Sequence, residues 1–249
     1  MNIYRILHFV ASKRVPASVK LLGLCMMHLT GRRTIGIFID PVLSCNLRCK
    51  MCYFSDADKR RSMHGVMSRS RLNAVARALY SRALKLQIGC GAEPTLYGDL
   101  VGIVRQGHDY GIPYISLTTN GQLIASGNVS LIELVRAGLD EITLSIHGTS
   151  KEIYEEMMPG ATFERLSSLI DCMIEAKNEF PGFKIRINYT VNSLNMYDLQ
   201  DDCFWKLWRG LELDIVQLRP VQDMGRTEWS DFDLSPLKDN YDCTIGNQS

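Results

Sequence analysis

Short apolar runs bounded by turn residues alternate with helix-period stretches along most of this 249-residue chain, and that rhythm limits the possible folds more than any other feature. The first run covers residues 34–42, where Ile35, Ile37 and Ile39 fall on one face of an extended segment. Further strands are expected over 85–89, 113–118, 141–146, 184–190 and 214–218. The stretches between them carry helix signals of their own. Ser130 with Glu133, and Thr149 with Glu152, fit the capping box, in which each side chain satisfies an otherwise unpaired backbone N–H. Gly138 stands where a helix begun at Leu131 should end in a left-handed residue. Phe163, Leu166, Ile170 and Met173 share one helical face, as packing on a sheet requires. Strands alternating with helices imply a parallel sheet with right-handed crossovers. About 30 residues follow Leu218, too few for two more βα units. The expected fold is therefore α/β, a partial (β/α)6 TIM-type barrel of six parallel strands.

Three segments result. Residues 1–33 read as an N-terminal helical extension, helical over 19–29, with Gly31 at its end, and packed on the barrel; a partner-binding helix is the alternative. Residues 34–220 form the barrel and 221–249 a C-terminal tail. The formal net charge of +1 implies no bulk attraction to nucleic acid or acidic lipid. The apolar stretch 21–27 falls far short of the roughly 20 residues that a spanning helix needs. Lys13 and Arg14 interrupt the apolar run that begins at Ile6, and no small-residue cleavage pattern follows, so the start does not read as a signal peptide. A cytoplasmic location is the expectation.

Of eight cysteines, Cys25, Cys90, Cys172, Cys203 and Cys243 are scattered singly. The other three, Cys45, Cys49 and Cys52, form a C-x3-C-x2-C run directly after the first strand. Three thiolates on one loop can hold three corners of a cubane cluster that ordinarily takes four cysteines, which leaves one iron open for a ligand. Two other readings stay open on these residues alone. A zinc-binding structural or interaction module could use His64, twelve residues on, as a fourth ligand. An electron-carrier protein with a conventional cluster would need a fourth cysteine.

Other strand ends carry polar motifs as well. The second runs into Gly89-Cys90-Gly91-Ala92-Glu93-Pro94-Thr95, the third into Thr118-Thr119-Asn120-Gly121, the fourth into Ser145-Ile146-His147-Gly148, and the sixth ends Gln217-Leu218-Arg219-Pro220. The C-terminal ends of strands are where barrel enzymes assemble their sites. With the cysteine run, these residues resemble the radical SAM superfamily from about 35 to 220, and are similar to members that carry a C-terminal cysteine-rich SPASM extension.

The resemblance implies a [4Fe–4S] cluster on Cys45, Cys49 and Cys52, reduced by an external one-electron donor of the flavodoxin or ferredoxin kind. S-adenosylmethionine would bind the open iron and be cleaved to methionine and a 5′-deoxyadenosyl radical that abstracts hydrogen from a substrate. Tyr53 matches the aromatic residue after the third cysteine. Gly91, Ala92 and Glu93 match the family's Gly-Gly-Glu-Pro motif, which holds the cofactor's amino group; alanine here replaces the second glycine. Asn120 and Ser145 stand at matching strand ends, and Arg186 is the candidate partner of the cofactor's carboxylate.

Two departures stand out: His147 where the family often has aspartate, and no arginine near 158–160. His147 faces the cofactor ribose or the substrate, or is simply hydrogen-bonded in a strand-end turn. Asp40 is expected to order the turn into the cysteine loop. A peptide or protein substrate is what the SPASM-like similarity suggests. Cys243 alone cannot hold a cubane, so one cluster is expected, on a fragment or a shortened member.

Overall fold

The computed structural model describes residues 15–31, 33–200 and 203–221. Six parallel strands form one sheet in sequence order: β1 (Ile35–Ile39), β2 (Ala83–Ile88), β3 (Ile115–Thr119), β4 (Glu141–Ser145), β5 (Lys184–Val191) and β6 (Ile215–Pro220). The sheet curls into the partial TIM-type barrel that the rhythm implied. Helix α1 (Ala17–Leu29) precedes it, and α2 (Ala57–Ser62) and α3 (Arg69–Leu79) follow β1. The layer over the sheet includes α4 (Leu100–Asp109), α5 (Gln122–Ala125), α6 (Leu131–Arg136), α7 (Lys151–Met157) and α8 (Glu164–Glu179). The short helices α9 (Tyr197–Gln200) and α10 (Cys203–Leu207) lead to β6. No described helix is long and apolar enough to cross a membrane. The tail expected over 221–249, with Cys243, lies outside the described residues beyond Val221.

Alternation along each strand separates two chemistries. Leu86 and Ile88, Ile115 and Leu117, Ile142 and Leu144, and Ile185 and Ile187 are fully buried on the face toward the helices. On α8, Leu166 and Met173 join that core as the helical period predicts and Leu169 is buried with them, while Phe163 and Ile170 are only partly buried against it. On α4, Gly107 permits close contact: a Cβ there would stand 3.0 Å from side-chain carbons of both Leu86 and Ile115. The opposite face of the strands is polar. Ser116 donates to Gln87 Oε1 at 2.7 Å, and Gln87 Nε2 donates to Thr118 Oγ1 at 2.8 Å.

Three expectations need correcting. Ser130 caps α6, accepting from the Glu133 N–H, but α7 is capped by Ser150, not by Thr149. The Thr149 N–H is already held by Asp198 Oδ2 at 2.9 Å, so the helix begins one residue later. On α1, Val19, Leu21, Leu22, Met26 and Leu29 are exposed, so these side chains do not pack on the barrel. Arg186 lies low on the polar face, where Nε and Nη2 meet the two Glu141 carboxylate oxygens at 3.1 and 3.2 Å. Glu141 opens β4 and Ser145 closes it, so this pair sits at the end of the barrel away from the strand-end motifs.

Glu141 is 1% exposed, and removing a partner from a buried ion pair leaves an uncompensated charge. Arg186→Met should therefore cost about 3 kcal/mol in chemical unfolding. Affinity for S-adenosylmethionine, the cofactor that the resemblance implies, should be unchanged. A selective loss of that affinity with normal stability would return Arg186 to the cofactor.

Candidate active site

A cavity of about 570 Å3 opens at the C-terminal ends of the strands. It brings together Cys45, Cys49, Cys52, Tyr53, Gly91, Ala92, Glu93, Asn120 and Ser145, all expected from sequence, and adds Cys90, His147, Thr190 and Arg219. Arg186 is not among its lining residues.

The cysteine loop is fixed by what surrounds it. Leu47, Met51 and Phe54 are buried between and after the cysteines and anchor the loop in the core. On one side the loop is tied to the ends of β2 and β3: the Glu93 N–H donates to the Ser44 carbonyl, and Asn120 Nδ2 to Asn46 Oδ1, each at 2.9 Å. On the other it is tied to the segment after α7, where the Arg48 and Lys50 N–H groups donate to the Pro159 and Met157 carbonyls at 2.8 and 3.0 Å. That segment, which lacks the arginine usual in the family, thus braces the loop through these backbone bonds and through the Lys50–Glu156 ion pair at 2.6 Å.

The loop after β2 is clamped by two side chains. Asp40 Oδ1 accepts from the Cys90, Gly91 and Ala92 N–H groups at 2.7, 3.2 and 3.4 Å, so it orders this loop as well as ending β1. Asp40 stands fifty residues from its partners, and only the parallel pairing of β1 with β2 brings them together. The Tyr53 hydroxyl donates to the Gly91 carbonyl. Gly91 has no room for a side chain, since a Cβ would stand 2.3 Å from that hydroxyl. Gly89 has a φ of +80°, and a Cβ there would meet the Thr118 carbonyl at 2.4 Å.

Glu93 is the most buried acid of the cavity. Its Oε1 accepts from the Thr95 N–H, the Thr95 hydroxyl and the Thr119 hydroxyl at 3.1, 2.5 and 2.6 Å. Its Oε2 accepts from the Asn120 N–H at 2.9 Å. Burial pushes its carboxyl above the usual carboxylate range, and these four bonds oppose that shift. The side chain therefore joins the ends of β2 and β3, a task that sequence did not show.

His147 has two faces. Its Nδ1 accepts from the Thr190 N–H at 3.1 Å, which is the strand-end bond foreseen as one alternative. Burial holds the imidazole down at about 4, so the ring is neutral near pH 7 and its proton resides on Nε2. His147 also lines the cavity, and its ring brings an N–H donor where an aspartate would bring only acceptors.

The donor set fits a cluster better than a single ion. Burial raises the thiol of Cys45 to about 11 and also pushes up Cys52. Cys49 rises further through burial and the neighbouring Cys52 and Cys45. Bound metal would supply the positive charge that makes these groups thiolates. Among the described residues, no three His, Cys, Asp or Glu side chains converge as ligands of one metal ion. His64 is exposed, bonded to the Arg61 carbonyl, and outside the cavity, so the zinc reading finds no support. Cys90 lines the same cavity from the loop after β2, where its N–H is held by Asp40, so it does not share the loop of the other three thiols. Cys25 and Cys203 are exposed, and Cys172 lies on α8.

The comparisons with known proteins agree with this geometry. The chain is 32% identical over 207 residues to a probable GTP 3′,8-cyclase of Metallosphaera sedula, covering 82% of this chain and 62% of that one. It is 28% identical over 198 residues to a probable GTP 3′,8-cyclase of Sulfurisphaera tokodaii, covering 79% and 60%. It thus spans about three fifths of the length of these relatives. In fold it is similar to Streptococcus suis SuiB bound to S-adenosylmethionine, with a TM-score of 0.61, 21% identity, and coverage of 89% of this chain and 50% of that one. Residues 39–205 match the model of the Radical SAM superfamily, and the chain is a member of that superfamily, an enzyme whose cofactors are a [4Fe–4S] cluster and S-adenosylmethionine.

Proposed function

We propose that this chain generates a 5′-deoxyadenosyl radical by reductive cleavage of S-adenosylmethionine and uses it to abstract hydrogen from a nucleotide. The observation that carries the first half is the meeting of the three thiols of one loop with the Glu93 strand end in one cavity. When bound, the cluster and cofactor together supply an electron and a cleavable carbon–sulfur bond. The protein's part is to place and shield them. Cys45, Cys49 and Cys52 would hold the cluster, and the surrounding loop ties fix their place at the cavity.

The loop over Gly91, Ala92 and Glu93, with Asn120, receives the amino group of the cofactor. Among the described residues Oε2 of Glu93 accepts one bond, so it retains acceptor capacity for an ammonium. Tyr53 and Asp40 fix that loop. Ser145 and His147 offer a hydroxyl and an N–H donor from the facing wall. The reducing electron comes from an external flavodoxin- or ferredoxin-like donor.

The substrate inference replaces the peptide or protein suggested by sequence. It is supported by the names of the relatives and by the polar wall of Ser145, His147, Thr190 and Arg219, whose one cation at the cavity rim suits a phosphate. GTP is the substrate to test first.

Dithionite-reduced, cluster-replete enzyme should release methionine and 5′-deoxyadenosine, and GTP should raise the yield. Cys45→Ala, Cys49→Ala and Cys52→Ala should each abolish both products and most bound iron. Product formation that survives these changes would contradict the ligand assignment. A yield indifferent to GTP would contradict the substrate class alone.

Glu93→Gln should weaken S-adenosylmethionine binding about tenfold in calorimetry, the size of one lost charge-assisted bond, with iron content unchanged. Unaltered affinity would leave Glu93 with only its role of joining strand ends.

A further inference from the structure

The +1 net charge of the whole chain conceals an uneven distribution. Residues 1–39 hold six of the 28 Lys and Arg and none of the 27 Asp and Glu; Asp40 is the first acid. The six are Arg5, Lys13, Arg14, Lys20, Arg32 and Arg33, and the rest of the chain is net acidic. Within this basic segment lies α1, and Val19, Leu22, Met26 and Leu29 recur along it at the spacing of one helical face. These four and Leu21 are between 56% and 84% exposed. A water-facing apolar stripe of this kind calls for a partner surface.

The charge distribution indicates which surface. A protein groove could take the stripe, but it gives no reason for excluding acids from 39 consecutive residues. An anionic lipid surface gives one, because each Lys or Arg near it is attracted and each acid repelled. Helix length agrees: thirteen residues span about 20 Å, too short to cross a bilayer but enough to lie in its interface.

Orientation agrees as well. Arg33 Nη1 donates to the carbonyls of Tyr80 and Ala83 at 2.7 and 3.1 Å, which ties the segment to the end of the barrel where β2 begins. The cavity opens at the other end, where the strands finish. The stripe lies outside residues 39–205, the region shared with the superfamily.

We infer that α1, whose flanking sequence carries Lys13, Arg14 and Arg32, docks on anionic phospholipid, with the Val19–Leu22–Met26–Leu29 stripe entering the boundary between headgroups and acyl chains. The test is co-sedimentation of the cluster-replete, full chain with phosphatidylcholine vesicles, with and without phosphatidylglycerol. Binding is expected to the anionic vesicles at about 0.1 M salt, and to fall at least tenfold at about 1 M, where screening shortens the Debye length to ~3 Å. The double change Lys13→Gln with Arg14→Gln should lower partitioning about 30-fold. Leu22→Glu with Met26→Glu should abolish it while iron content and S-adenosylmethionine cleavage stay at wild-type levels, since neither residue touches the cavity.

The inference is overturned if the enzyme stays in the supernatant with anionic vesicles at low salt, or binds neutral and anionic vesicles alike. It is equally overturned if Leu22→Glu with Met26→Glu converts a dimer to a monomer in size-exclusion chromatography without altering sedimentation, because the stripe would then cover a second copy of the chain.

Discussion

Removing a carboxylate from water costs several kcal/mol unless its oxygens find donors, and Glu93, 3% exposed, finds four. Two of those donors sit on Thr95 and two at the end of β3, on Thr119 and Asn120. The side chain can be satisfied only when the ends of β2 and β3 stand in one relative position. The Glu93 N–H then reaches back to Ser44, one residue before Cys45. A single buried acid therefore sets the spacing between the cysteine loop and the loop after β2. Asp40, with three N–H groups on one oxygen, repeats the arrangement between β1 and the same loop.

This arrangement depends on a sheet whose two faces differ. Leucines and isoleucines toward the helices supply the burial that drives folding, so the other face is free to carry polar side chains. Its lower part is consumed by structural bonds, with Glu141 held by Arg186, Tyr114 and Thr143. Its upper part opens on the cavity through Ser145, His147 and Thr190. The polarity of the site is thus an extension of one face of the sheet beyond its last bonds.

Much of this was legible in the chain. All six strands lie where apolar runs and turn residues put them, because alternation and helical period report burial directly. The grouping of Cys45, Cys49 and Cys52 at one cavity was legible because the three thiols share one loop after β1. What could not be read was which partner each long polar side chain would choose. Arg186 was assigned to the cofactor, but strand alternation does not say how far along the barrel an arginine reaches, and Glu141 on the neighbouring strand took it. Thr149 fits a capping box as well as Ser150 does, and Asp198, 49 residues away, decided between them. The contact of Asp40 with residues 90–92 likewise required strand pairing that no local pattern encodes. For His147 the sequence left two roles open; the bond from the Thr190 N–H accounts for the strand-end role, and the residue also lines the cavity.

The account stands on one iron of the cluster remaining open to the cofactor. Electron paramagnetic resonance of anaerobically reconstituted, dithionite-reduced enzyme tests this most directly. The spectrum of a reduced [4Fe–4S] centre should appear and should change shape when S-adenosylmethionine is added, because the cofactor becomes a ligand of that iron. A reduced-cluster spectrum that is identical with and without S-adenosylmethionine would mean that all four irons are already satisfied, and would contradict the account.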